Sequence, residues 1–106
     1  MVTSSHPRHE LDEIFNSPVR LSIVAALAAA ERAEFGYVRD VVEVTDSALS
    51  KQSAILEQAG YLKATKGYVG KRPRTWLSLT ARGRAAFDAH VRALRAITDV
   101  AGYERD

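Results

Sequence analysis

Ser47, Ser50, Lys51 and Ala54 recur on one side of a short stretch at helical spacing, with Gln58 one turn further on. They supply hydroxyls, one ammonium and a methyl, with no bulk among them. Such side chains suit a polyanion with readable edges. Hydroxyls and an ammonium hydrogen-bond to phosphates or base edges, and a small methyl tolerates close approach to a thymine methyl. A second group follows in Lys66-Gly67-Tyr68-Val69-Gly70-Lys71-Arg72-Pro73-Arg74. Arg72 or Arg74 suits a narrow minor groove, and Lys66 and Lys71 suit phosphate oxygens. Lys63, Arg82 and Arg84 extend this basic cluster as further phosphate anchors.

Other chemistries lack their residues. The 106 residues contain no cysteine, which excludes a disulfide framework, a thiolate metal site and a thiol redox sensor. No glycine-rich phosphate loop or nucleophile elbow occurs, and Ser47 and Ser50 have no histidine near them in sequence, so no enzyme is expected. His6, His9 and Glu10 invite a metal, but Pro7 interrupts them and the ligands are too few. No metal and no cofactor is expected. His90 reads as a surface histidine, with proton sensing at an interface as the alternative.

Charge supports the polyanion reading. Net charge is only +2, yet residues 46–84 carry eight Lys/Arg against two Asp/Glu, while residues 1–45 sum to −3 and residues 85–106 to −1. A solvated basic surface is the bland alternative. The length fits one domain spanning residues 1–106. No apolar run reaches the roughly 20 residues of a membrane span. The amino terminus lacks a basic and an apolar signal region. A cytoplasmic address is the expectation.

The elements that must position these residues follow from periodicity and punctuation. His9 to Phe15 reads as a first helix, broken by Asn16-Ser17-Pro18. Ser17 as N-cap and Pro18 as first helical residue open a second helix to about Ala30, with Leu21, Ile23, Val24, Leu27 and Ala28 as its apolar set. Glu34 to Tyr37 is a connector with room for a one- or two-residue strand. Tyr37 to Val42 is a third helix, with Val38, Val41 and Val42 facing inward, and Glu43-Val44-Thr45 is a turn.

The fourth helix, residues 46–59, is capped by Thr45 or Asp46. It turns Ala48, Leu49, Gln52, Ile55, Leu56 and Ala59 to the core and ends at Gly60. On this wheel Gln52 makes a structural hydrogen bond rather than reading a base, and Asp46 caps rather than accepting from cytosine. A ribbon occupies residues 62–79, with strands Tyr61 to Val69 and Thr75 to Leu79. Its loop, Gly70 to Arg74, has Gly70 for the turn and Pro73 to stiffen it. Tyr68 and Trp76 are stacking candidates, although Trp76 lies inside a strand and is expected to pack. Thr80 caps a last helix to about Ala101, with Gly83 weakening its first turn. Its seam is Phe87, Val91, Leu94, Thr98 and Ala101, with Ile97 alongside. The fold class is mainly α with a two- or three-stranded β wing, in the order α-α-α-α-β-β-α. This is a helix-turn-helix followed by a wing.

At Ser17-Pro18-Val19-Arg20-Leu21, Thr45-Asp46-Ser47-Ala48-Leu49-Ser50-Lys51, Leu56-Glu57-Gln58-Ala59-Gly60-Tyr61, Arg72-Pro73-Arg74-Thr75-Trp76 and Leu79-Thr80-Ala81-Arg82-Gly83-Arg84, the chain resembles small winged-helix transcriptional regulators related to the MarR and ArsR groups. The resemblance runs from Pro18 to Leu94. It implies a homodimer on a palindromic double-stranded DNA operator, often repressing nearby genes. It also implies that Ser47, Ser50, Lys51 and Ala54 lie at the groove, with Arg72 and Arg74 in the wing. The terminal helices are shorter than is typical of MarR-like chains.

Pairing residues 8–16 with residues 80–101 of a second copy would bury Leu11, Ile14, Phe15, Val91, Leu94 and Ile97. The alternative is that these helices close one monomer's core. A space between dimer helices and core leaves room for a small-molecule effector. Two other functions compete: a winged-helix protein-interaction scaffold and a non-specific nucleic-acid binder. The cations Lys71, Arg72 and Arg74 argue against the scaffold.

Overall fold

A computed structural model describes residues 6–100. Two 3₁₀ turns, Pro7–Glu10 and Glu13–Phe15, precede α1 (Pro18–Ala28), β1 (Ala33–Glu34), α2 (Phe35–Val42) and α3 (Asp46–Gln58). Then come β2 (Leu62–Val69), β3 (Arg72–Leu79) and α4 (Ala81–Val100). The expected end of α4 and of its seam at Ala101 lies outside the described residues. No helix among the described residues is long and apolar enough to cross a membrane.

The expected first α-helix is instead the pair of 3₁₀ turns. Leu11 and Asp12 between them are extended, and the Asp12 carboxylate accepts from the Ile14 N–H at 2.9 Å. Seven residues are too few to nucleate a helix unaided, and a side-chain acceptor inside the segment favours the turn. From Ser17 the local signals hold. Ser17 Oγ accepts from the Arg20 N–H at 3.2 Å with Pro18 at the first helical position, and Thr45 Oγ1 accepts from the Ala48 N–H at 3.1 Å. Gly60 takes the left-handed conformation, φ 83°, that ends α3.

The sheet is antiparallel, in the order β1-β3-β2. Ala33 pairs with Leu77 and Glu34 with Trp76, while β2 and β3 pair from Leu62–Leu79 out to Val69–Arg72. The connecting turn is therefore only Gly70 and Lys71, shorter than the expected Gly70-to-Arg74 loop. Pro73 sits in β3 opposite Tyr68. β1 covers β3 only at Trp76 and Leu77, so Pro73 occupies a stretch of β3 with a free outer edge, where its missing N–H costs no ladder bond.

Phe15, Ile23, Val24, Leu27, Val38, Leu49, Leu56, Leu62 and Leu77 form one buried cluster, which holds α3 against α1 and the sheet. Each Leu or Ile buried this way contributes about 1.5–3 kcal/mol. Val41, expected inward, is half exposed.

The start of α4 is welded to the start of β2. Thr80 donates its N–H to the Tyr61 carbonyl at 3.1 Å, and its hydroxyl donates to the Gly60 carbonyl at 2.6 Å while accepting from the Gly83 N–H at 2.9 Å. A Cβ on Gly83 would lie 2.1 Å from the Tyr61 carbonyl oxygen. Gly83 is thus a packing requirement as well as a weak helix former.

Candidate nucleic-acid interface

Helix α3 divides as its spacing requires. Leu49, Ser53 and Leu56 are buried, while Ser47, Ser50, Lys51, Ala54 and Gln58 are exposed together. The turn before it is fixed by backbone strain and charge. Glu43 ends α2 at φ 61° and ψ 53°, a left-handed conformation unusual outside glycine. Arg39 spans the turn, donating to Asp46 at 2.9 Å and to Asp40 at 2.9 Å. These hydrogen bonds raise the guanidinium pKa further, and the Arg39 bond holds the Asp40 carboxyl below its ordinary range. Asp46 is thereby tied to α2, while Thr45 supplies the cap.

Gln52 makes the expected structural hydrogen bond. The Arg20 guanidinium donates to Gln52 Oε1 at 2.8 Å and to the Ile14 carbonyl at 2.7 Å, joining α1, α3 and the amino-terminal turns. Arg20 and Arg39 both position α3. Periodicity could not have found them, because their partners lie on other elements.

The hairpin sorts its cations by face. Residues paired across antiparallel strands point to the same side. Lys66 therefore shares a face with Ala64, Tyr68, Pro73, Thr75 and Leu77. This face closes on α3, where a cleft of about 310 Å³ is lined by residues including Ser50, Ser53, Ala54, Lys66 and Leu77. Ser53 Oγ is buried there and, among the described residues, has no hydrogen-bond partner.

Arg72 and Arg74 belong to the opposite face. Arg72 is exposed, and Lys71 is exposed in the turn. Arg74 is half-buried and bends back to Glu34 of β1, with Nε 3.3 Å from the carboxylate. The structure thus brings Ser50, Ala54 and Lys66 together at one cleft, keeps Ser47 and Lys51 exposed on α3, leaves Lys71 and Arg72 at the tip, and draws Arg74 away. Two cations from the basic block have structural work. Arg84 donates to the Ala28 carbonyl at the end of α1 at 3.1 Å, and the Arg82 guanidinium lies 6.0 Å from the Tyr61 ring centroid.

These features are joined in a single known arrangement. Residues 19–98 match the profile of the winged helix DNA-binding domain family. The chain belongs to this family. An uncharacterized protein of Methanocaldococcus jannaschii, MJ0432, is 34% identical over 79 residues, covering 74% of this chain and 86% of that protein. The structure of a transcriptional regulator homologue from Pyrococcus horikoshii superimposes with a TM-score of 0.79 at 28% identity, covering 87% of this chain and 91% of that one. A MarR-family regulator from Silicibacter pomeroyi shares the fold, with a TM-score of 0.65 at 24% identity over 91% of this chain and 64% of that one. The winged helix here is thus of the kind found in regulatory DNA-binding proteins.

In this winged helix the residues expected at a dimer interface occupy unlike environments. Phe15 is 3% exposed within one chain and belongs to its core, with its ring 5.6 Å from Tyr61 and 6.3 Å from Phe87. Ile14 packs on the same core. Leu11, Val91 and Ile97 are half-buried, and Leu94 is exposed.

His90, expected at the surface, is buried. Its Nδ1 accepts from the Asp12 N–H at 3.0 Å, and its ring lies 5.1 Å from Phe15. Burial holds its pKa below the ordinary value, with the Asp12 carboxylate pulling weakly the other way. Tyr61 donates its hydroxyl to the same carboxylate, and that bond raises the phenol's pKa. The amino-terminal turns are in this way pinned to α4 and to the root of the hairpin.

Proposed function

We propose that the chain is a sequence-specific double-stranded DNA-binding regulator that represses transcription from a near-palindromic operator as a homodimer. The observation that carries this reading is the cleft where Ser50 and Ala54 of α3 meet Lys66 of the hairpin, with Ser47 and Lys51 also exposed on α3. In the proposed complex the amino-terminal half of α3 enters the major groove. Lys51 reaches a guanine edge or a phosphate, Ala54 lies against a thymine methyl, and the serines take phosphates or base edges. Lys66, Lys71 and Arg72 anchor on phosphates beside it.

Dimerisation rests on α4, whose exposed Leu94 stands beside half-buried Val91 and Ile97. Phe15, packed on Phe87 and His90, supports α4 from within one chain. Two copies would place their α3 helices about 34–36 Å apart, one DNA turn.

The test is selection of duplexes from random-sequence DNA, then titration of the best duplex beside a shuffled one of equal composition at physiological salt. A preference of roughly a thousandfold or more, for a site with two inverted halves, supports the reading. Equal, salt-sensitive binding to both duplexes points to a non-specific binder, and no binding to either points to a scaffold. Sedimentation of the free chain as a monomer at micromolar concentration would count against the dimer.

A further inference from the structure

The two aromatic residues of the hairpin face opposite ways and have opposite surroundings. Trp76 lies on the outer face, with the Arg32 guanidinium 4.2 Å from its ring centroid and Arg74 beside it on Glu34. That face is occupied by contacts within the chain. Tyr68 lies on the inner face, in line with Lys66 and Ala64 and opposite Pro73. It stands two positions beyond Lys66 toward the tip, or about 7 Å farther out along the strand.

Tyr68 is 74% exposed, more than any other large apolar side chain among the described residues. A recess of about 320 Å³ beside it is lined by Lys66, Gly67, Tyr68, Pro73, Arg74 and Thr75. The ring's surroundings are already ordered. Pro73 has a fixed φ, the turn is two residues long, and the ladder runs out to Val69 and Arg72. Docking a side chain on such a support costs little ordering entropy. Lys66, on the same face, and Lys71, in the adjoining turn, place positive charge beside it.

An exposed aromatic ring flanked by cations matches one surface chemically: sugars and base edges between phosphates. The geometry points to Tyr68, backed by Pro73, as a DNA-contacting residue that packs against deoxyriboses of the minor groove flanking the α3 site. This inference rests on the DNA-binding reading above and adds how the flank is read. Arg72 and Arg74 both belong to the outer face, so the inner face offers no arginine for a narrow groove. An apolar ring needs a wider entry than a guanidinium does. The flank is accordingly selected for flexible pyrimidine–purine steps over stiff A-tracts.

The test compares the chain with its Tyr68→Ala, Tyr68→Phe and Arg72→Ala variants. Each is titrated between 50 and 200 mM salt on the selected duplex, carrying either TA-step or A-tract flanks. Tyr68→Ala is expected to bind the TA-flanked duplex about tenfold more weakly, equivalent to about 1.4 kcal/mol. It should keep the salt slope, lose the flank preference, and lose hydroxyl-radical protection of the flanking deoxyriboses but not of the centre. Tyr68→Phe should stay within about twofold, and Arg72→Ala, which removes about two contacts per dimer, should lower the slope by about 1.8. An unchanged melting temperature checks that the exposed substitutions leave the fold intact.

Tyr68→Ala binding within twofold of the parent chain, while Arg72→Ala flattens the slope, would overturn the role of Tyr68 and leave DNA binding standing. A flattened slope in Tyr68→Ala would also overturn it, because the effect would then run through displaced cations. Failure of the parent chain to bind any selected duplex would remove both readings together.

Discussion

Replacing Gly83 by alanine separates helix propensity from tertiary packing, because the two give opposite signs. Propensity alone predicts a gain of about 0.8–1.0 kcal/mol from alanine inside a helix. In the structure the new Cβ would sit 2.1 Å from the Tyr61 carbonyl oxygen, 2.8 Å from its carbon and 2.9 Å from Cα. These are backbone atoms, so no side chain can swing away. Restoring ordinary contact at 3.4 Å requires α4 to retreat by about 1.3 Å. The Thr80 N–H to Tyr61 bond, 3.1 Å long, would not survive that shift. Overpacking costs about 1–3 kcal/mol, and an unmade buried hydrogen bond costs about 1–3 more. Less the propensity gain, the net destabilisation is about 3 kcal/mol. For a domain of this size that lowers the melting temperature by about 12–24 °C. Thermal unfolding followed by circular dichroism reads it directly. A melting temperature equal to or above the parent's would refute the close approach of α4 to β2, and with it the placement of the hairpin root.

Four further substitutions test the interface and the contacts that support the fold. Arg72→Ala should remove about two phosphate contacts per dimer, one in each half-site, reducing the loss of affinity between 50 and 200 mM salt about 12-fold. Arg74→Ala should change the slope less than half as much, because Glu34 already neutralises Arg74, and equal slopes for the two variants would contradict the pairing. His90 is held neutral by burial, so its folded pKa lies below its unfolded value near 6.5. Its contribution to stability is full above that pH and is lost as pH falls through the folded pKa, at up to about 1.4 kcal/mol per unit. His90→Gln, which keeps an acceptor for the Asp12 N–H, should flatten this fall in urea titrations from pH 7.5 to 5, whereas parallel curves would exclude the histidine. Gln52→Ala should lower stability by about 1–2 kcal/mol through the unpaired Arg20 donor, yet leave the selected base sequence unchanged. A changed preference at one base would make Gln52 a reader after all.

What the sequence determined by itself is what depends on near neighbours along the chain. The Ser17 and Thr45 caps, the Gly60 stop, the split faces of α3 and the basic hairpin are set by hydrogen bonds and periodicity within about one helical turn. Gln52 was also legible, since its place on the inward arc implied a partner, although not which one.

Tertiary structure decided which charges are available and which small residues are required. Arg84 serves a carbonyl 56 positions away, His90 an amide 78 positions away, and Arg74 a carboxylate on a strand that only the sheet brings close. The two-residue turn put Pro73 into β3, and its register fixed the side from which Tyr68 projects. The first helix failed for a related reason. Ile14 and Phe15 instead joined a core in which Asp12 and Phe15 are held by Tyr61 and His90, residues far away along the chain. Local propensity acts through a few dihedrals, whereas these pairings need the whole chain's packing to bring distant groups within 3 Å.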